Sequence, residues 1–267
     1  MRFFALFVAL VAGVGVAVWF YRGPDLTTHV VRVARTDERW LDDLQSRNPR
    51  DVEAATAQLE QRGTSALPLI RRTLQDPSAD PSRRKAALKA VKQLGERAAE
   101  AAPDVAALLR QPEYAPEAAL ALSFMGSVAV GPLRDAVASE DSVVRREALR
   151  SLGKLRERAS IDPQIVIPLL LAALKDPDPS VRDVAVTYLG IVRDSPEKEV
   201  AGLIEALNDE QSSVRRAAAT ALAAYGAQAE PAVPALKKAA KDPDEDVRRE
   251  AGRALVRISE LKQKTSG

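Results

Sequence analysis

One histidine and no cysteine in 267 residues limit the chemistry this chain can attempt. Ser-His-Asp and Cys-His nucleophiles both need an imidazole near the nucleophile, and His29 stands alone, far from most of the chain. Transition-metal sites built from His and Cys are excluded on the same count. The glycines are scattered singly, so no phosphate-cradling loop is written in the chain. An acidic run, Asp242, Asp244, Glu245 and Asp246, has calcium-ligand chemistry, but at a turn between helices such residues complement a helix N-terminus. No catalytic, cofactor-binding or metal-binding residue is assigned, no cofactor is expected, and the chain is read as a non-enzyme. What remains is a set of Lys and Arg residues at helical spacing, whose chemistry is recognition.

Those cations have meaning only in the register of the elements that carry them. The phrase Asp-Pro-Asp followed by Val-Arg stands at residues 176–182 and 242–248, with a degenerate copy at 209–215. Taking the Val as the mark gives Val144, Val181, Val214 and Val247; weaker copies align on Asp51, Arg83 and Tyr114 through Gly63, Gly95 and Gly126. The spacings are 32, 31, 30, 37, 33 and 33 residues, a period that fits a helix, a turn, a second helix and a link. Small or apolar residues recur at marks 0, +4, +8 and +11, as in Val144, Ala148, Leu152 and Leu155, the buried stripe of an amphipathic helix. The preceding helices bury Leu67, Ile70 and Leu74, then Ile165, Leu169 and Leu170, then Leu203, Ile204 and Leu207. Pro68, Pro103, Pro132, Pro168 and Pro234 are placed near helix starts and the glycines at helix ends. The expected fold is all-α: an α-solenoid of about seven helical pairs, with almost no strand.

Marks +2, +6 and +10 lie opposite the buried stripe. They carry Lys85 and Lys89, then Arg146, Arg150 and Lys154, then Arg216, then Arg249, Arg253 and Arg257, with Leu120 and Phe124 as an apolar patch in the third repeat. These eleven residues are the expected partner-binding set, suited to a protein with an acidic segment and an apolar anchor.

Residues Phe3 to Phe20 form an uncharged run that would span about 27 Å as a helix. Arg2 flanks one end, and Trp19, Phe20, Tyr21 and Arg22 the other. This predicts a single transmembrane anchor or signal-anchor over 1–22, meeting the membrane through residues 3–21. A connector and capping helix follow over 23–48, with Thr36 as N-cap and Trp40, Leu41 and Leu44 on one face. The solenoid occupies 49–260 and a polar tail 261–267. Arg22, Arg32, Arg35 and Arg39 favour a cytoplasmic body, while the very short amino-terminal tail favours export; the two conflict, so the expectation is a single-pass membrane protein with the side of its body left open and a slight lean to the outside.

The pattern Asp-Pro-x-x-x-Val-Arg-x-x-Ala-x-x-x-Leu-Gly resembles the HEAT repeat, in the short form also called PBS-lyase HEAT-like. The segments Gly226 to Leu236 and Gly95 to Pro103 are similar to a linker version found in bacterial proteins of that kind. The resemblance implies a hydrogen-bonded ladder between neighbouring repeats, falling here to Asp176 with Arg182, Asp209 with Arg215, and Asp242 with Arg248. Ala115 replaces the Arg in the third repeat, which interrupts the ladder. It also implies a concave surface lined by the second helices, and hence a membrane-anchored scaffold that binds another protein there. Two alternatives stay open: an accessory enzyme subunit of the bilin-lyase kind, and a nucleic-acid binder using the basic rows. The paired His-Glu motifs of HEAT-like hydroxylases are missing. A net charge of +2 and scarce aromatics weigh against nucleic acid.

Overall fold

The computed structural model describes residues 7–11, 14–18, 39–158 and 161–266. Fourteen helices alternate along the described chain as seven antiparallel pairs, joined by short turns. The first members are α1 (Arg39–Asp43), α3 (Leu67–Gln75), α5 (Ala102–Leu109), α7 (Val130–Ala136), α9 (Pro163–Ala173), α11 (Pro196–Ala206) and α13 (Val233–Ala239). The second members are α2 (Pro49–Arg62), α4 (Pro81–Leu94), α6 (Ala115–Leu122), α8 (Ser142–Glu157), α10 (Pro179–Val192), α12 (Ser212–Tyr225) and α14 (Glu245–Ser266).

Side chains fix the helix starts. Asn48, Asp80, Asp141, Asp162 and Asp178 each cap a helix by accepting from the backbone N–H two residues on. Proline fills the first helical position of α2, α4, α9, α10 and α11. Gly63, Gly95, Gly126 and Gly226 take positive φ and open the 3-10 turns that lead into the next pair. The marked stripe is buried as expected at Val144, Ala148, Leu152 and Leu155. From α4 to α14 each second helix packs directly on the next, making one continuous layer.

Several expectations change. α9 begins a turn earlier than read, at Pro163 behind the Asp162 cap, so Pro168 is interior and Ile165 is exposed, while Val166, Ile167 and Leu170 are buried. Gly153 and Gly190 lie inside α8 and α10, not at their ends. α1 is the first member of the first pair, with Trp40, Leu41 and Leu44 buried, so the array begins at Arg39; Thr36 lies outside the described residues. The helix of the last repeat runs on through the expected tail to Ser266.

The amino-terminal anchor is overturned. The described part of the apolar run is a two-stranded antiparallel hairpin, β1 (Phe7–Val11) and β2 (Val14–Val18), with Val11 opposite Val14 and Phe7 opposite Val18. Val8, Val11, Val14, Val16 and Val18 favour the extended chain, and Gly13 and Gly15 disfavour helix. No helix among the described residues is long and apolar enough to cross a membrane, so the single-pass localisation is withdrawn. Residues 19–38, including Arg22, Arg32, Arg35 and His29, lie outside the described residues.

Candidate partner-binding face

The second-helix layer carries the cationic rows, and most of those cations are already paired. On α4, Lys85 meets Glu117 of α6 at 2.8 Å, and Lys89 donates to the Leu44 carbonyl at 2.7 Å. On α8, Arg146 and Arg150 both bond Glu147 at 3.0 Å, and that carboxylate is only 5% exposed. Arg216 of α12 reaches Asp246 of α14 at 3.7 Å, and Arg249 binds Asp246 at 2.5 Å. Arg253 binds Glu250 at 2.9 Å. Lys154 is half-buried and Arg257 exposed, neither with an ion pair among the described residues. Asp183 sits on the same face; burial pushes its carboxyl above the ordinary value, against the pull of Arg216 and Arg150.

Mark +3, where Glu117, Glu147 and Glu250 fall, is therefore as much part of this surface as +2 and +6. The sequence signal was present: an acid one residue after one base and three before the next can pair along a helix. The face is a lattice of alternating charges, not a bare positive strip.

Leu120 and Phe124 are both half-buried. The Phe124 ring lies between cations, with Arg158 at 4.0 Å and Lys92 at 5.6 Å from its centroid. Arg158 also donates to the Ser123 carbonyl at 2.6 Å. The patch joins residues of three repeats, Lys92, Phe124 and Arg158.

The inter-repeat ladder is shifted by one repeat from the expected pairing. Arg182 grips Asp209 of the next turn bidentately at 2.7 and 2.8 Å, and Arg215 grips Asp242 at 2.8 Å through both nitrogens. Arg145, not anticipated, does the same to Asp176 at 2.8 and 2.7 Å. The third nitrogen of each Arg donates to two carbonyls of its own turn: Ser139 and Glu140, Asp176 and Pro177, Asp209 and Glu210. An Arg at mark +1 points along the solenoid axis, so its fork reaches forward while its own Asp lies behind it. Burial pushes the Asp176 and Asp209 carboxyls up, but the Arg bonds and a backbone N–H outweigh it and leave both below the ordinary range. The Arg215 bond, against a smaller burial effect, leaves Asp242 low as well. At the third repeat the Arg84 guanidinium faces the Tyr114 ring at 5.6 Å instead of a carboxylate.

The acidic run is spent on the same framework. Asp242 holds Arg215, Asp244 accepts from the N–H groups of Asp246 and Val247, and Asp246 holds Arg249. No group of three or more His, Cys, Asp or Glu among the described residues could hold a metal ion.

A family model described as HEAT repeats matches residues 130–223 and 200–265, together just over half of the chain. No curated protein matches. Among solved structures, Kap95p bound to RanGDP is similar over 85% of this chain and 34% of its own, at 16% identity and a TM-score of 0.65. Importin beta is similar over 81% of this chain and 33% of its own, at 15% identity and a TM-score of 0.59. The chain thus spans about a third of these relatives' length. A complex of CpcE and CpcF of phycocyanin lyase from Nostoc reaches 25% identity over 58% of this chain and 98% of its own, at a TM-score of 0.48, an overlay too loose to argue from.

Proposed function

We propose that this chain, which belongs to the HEAT-repeat family, is a non-catalytic scaffold that binds another protein through the face formed by its second helices. One observation carries the reading: α4, α8, α12 and α14 present cations at matching register positions on a single unbroken layer. Direct packing along the second-helix row is continuous from α4 to α14, and that row is taken as the inner, concave side that the likeness to HEAT repeats implies. Kap95p, similar in fold, binds RanGDP, and protein recognition by a helical solenoid is the use carried over here.

The partner segment is acidic with an apolar anchor. Its carboxylates exchange with Glu117, Glu147, Asp246 and Glu250 for the cations they hold, and its apolar residue lies against Leu120 and Phe124. Because most of these cations give up an internal partner, charge sets orientation and on-rate more than affinity. The test is a fluorescein-labelled peptide of Glu with interspersed Leu, titrated against the chain and a variant carrying Arg146→Gln, Arg150→Gln, Lys154→Gln and Arg216→Gln. Binding that weakens with salt and is lost in the variant, at unchanged helicity, is expected; equal binding by both chains would overturn the proposal.

A further inference from the structure

We infer that the exposed side of α14 is a second docking surface, built to take a helical hairpin whose turn carries a carboxylate. The repeats from α8 onward receive the next pair in one way. Three register positions of α8, α10 and α12 face forward along the array: +1, the ladder Arg; +5; and +9. In α8 these are Arg145, Leu149 and Gly153, in α10 Arg182, Val186 and Gly190, and in α12 Arg215, Ala219 and Ala223. Leu149, Val186 and Ala219 are all buried by the incoming pair.

In α14 the same positions are Arg248, Gly252 and Val256. Arg248 is already set as the internal ladder residues are, its Nη1 donating to the Asp242 carbonyl at 2.8 Å and the Pro243 carbonyl at 2.7 Å. Among the described residues no carboxylate meets its Nε–Nη2 edge, the edge that holds Asp176, Asp209 and Asp242 in the internal rungs. A Cβ placed on Gly252 would find nothing within 4 Å, and Val256 is 57% exposed. Gly252, Arg253, Val256, Arg257, Glu260 and Leu261 line a groove of about 550 Å³.

The occupant follows from these features. A guanidinium fixed by two carbonyls, with its paired donors free, takes a carboxylate bidentately, and in this fold that carboxylate belongs to the turn between the helices of a pair. At Gly153 the helix behind accepts Tyr188, the +7 residue of the next second helix; the notch in α14 is one turn earlier, at Gly252. An incoming helix therefore places a bulky apolar side chain over Gly252 and a small one against Val256. This surface shares Arg253 and Arg257 with the α14 end of the inner face and none of its residues on α8 and α12.

The full chain has no cysteine, so Val256→Cys accepts a single environment-sensitive fluorophore. The probe is a synthetic peptide of residues 196–226, the α11–α12 hairpin that docks on Arg182, beside its Asp209→Asn version. The Asp peptide should saturate the emission change, and both the Asn peptide and Arg248→Gln in the chain should weaken it at least tenfold. Equal binding of the two peptides would overturn the carboxylate seat. Because a free hairpin can fail to fold, it is also tethered to the carboxyl terminus through a Gly/Ser linker, which raises its local concentration to the millimolar range. Tethering should slow amide exchange in residues 247–258; no slowing would overturn the inference. Concentration-dependent emission without peptide would assign the surface to a second copy and overturn the hairpin as occupant. The inner-face variant Arg146→Gln, Arg150→Gln, Lys154→Gln, Arg216→Gln should bind the hairpin unchanged, which separates this result from that of the proposed function.

Discussion

The ladder shows how a single residue couples two repeats. Arg182 and Asp209 are 8% and 9% exposed, and the pair also ties the guanidinium to two carbonyls of its own turn. Removing one partner strands the other, which costs more than the pair is worth intact. Asp209→Ala should therefore lower stability by about 3 kcal/mol, read from denaturant midpoints, while the exposed Arg253→Ala should change it by less than about 0.5 kcal/mol. Acid probes the same rungs. Asp176, Asp209 and Asp242 have folded pKa values below those of the unfolded chain, so their contribution is fully present above the ordinary carboxylate range and disappears as pH falls through the depressed values. Asp178, held at about 2 by Ser180, Ser142 and the Ser180 N–H, adds to the same trend. The thermal midpoint should be flat from neutral pH down to about 5 and drop below about 4. Asp209→Asn should flatten that drop.

Between elements, spacing decides what a substitution does. Gly to Ala in a helix ordinarily stabilises by about 1 kcal/mol. At Gly153 a Cβ would run into the Tyr188 ring, and at Gly190 it would stand 2.8 Å from Ala221 Cβ. Gly153→Ala should destabilise by about 1–3 kcal/mol through overpacking, whereas Gly252→Ala, mid-helix in α14 with nothing within 4 Å, should stabilise by up to about 1 kcal/mol. Opposite signs in the two melting curves are the expected result. The α10–α12 contact holds a second device, the Tyr225 hydroxyl, which donates to Glu199 at 2.8 Å and lies 2.7 Å from the Leu189 carbonyl. Glu199 is fully buried, and its Oε1 has no hydrogen-bond partner among the described residues. Burial, then the Glu199 bond, holds the Tyr225 hydroxyl well above its ordinary pKa. Tyr225→Phe removes that bond to a buried carboxylate and should cost about 2 kcal/mol by chemical denaturation.

For the molecule as a whole, stability is a sum over neighbouring repeats, and the sum is uneven. The three bidentate rungs lie between α8 and α14, while the junction at the third repeat has Arg84 over Tyr114 and the half-exposed Lys85–Glu117 pair in place of a buried rung. Amide exchange should be slower in α10 and α12 than in α2 and α4, and uniform protection along the chain would contradict that gradient. The sequence alone determined the repeat, its register, the seven pairs and five of the six rung residues, because a 3.6-residue stripe and a capping Asp act locally; Arg145 was missed, and Arg248 was named although no carboxylate among the described residues meets it. Pairing across repeats was not local. Which Asp an Arg reaches depends on the direction in which mark +1 faces, so only the folded array showed that Arg182 holds Asp209. The glycines after Leu152 and Leu189 look like helix ends on paper, yet they are notches for the next helix, since close approach is a property of two elements. The apolar amino-terminal run had the length of a span, but β-branched residues and glycine gave it a hairpin, where hydropathy alone carries no shape. Likewise the rows of cations were legible, and so were Glu147 and Glu250 beside them on the same helices, while the partners on neighbouring helices became visible only when folding brought Asp246 to Arg216 and Glu117 to Lys85.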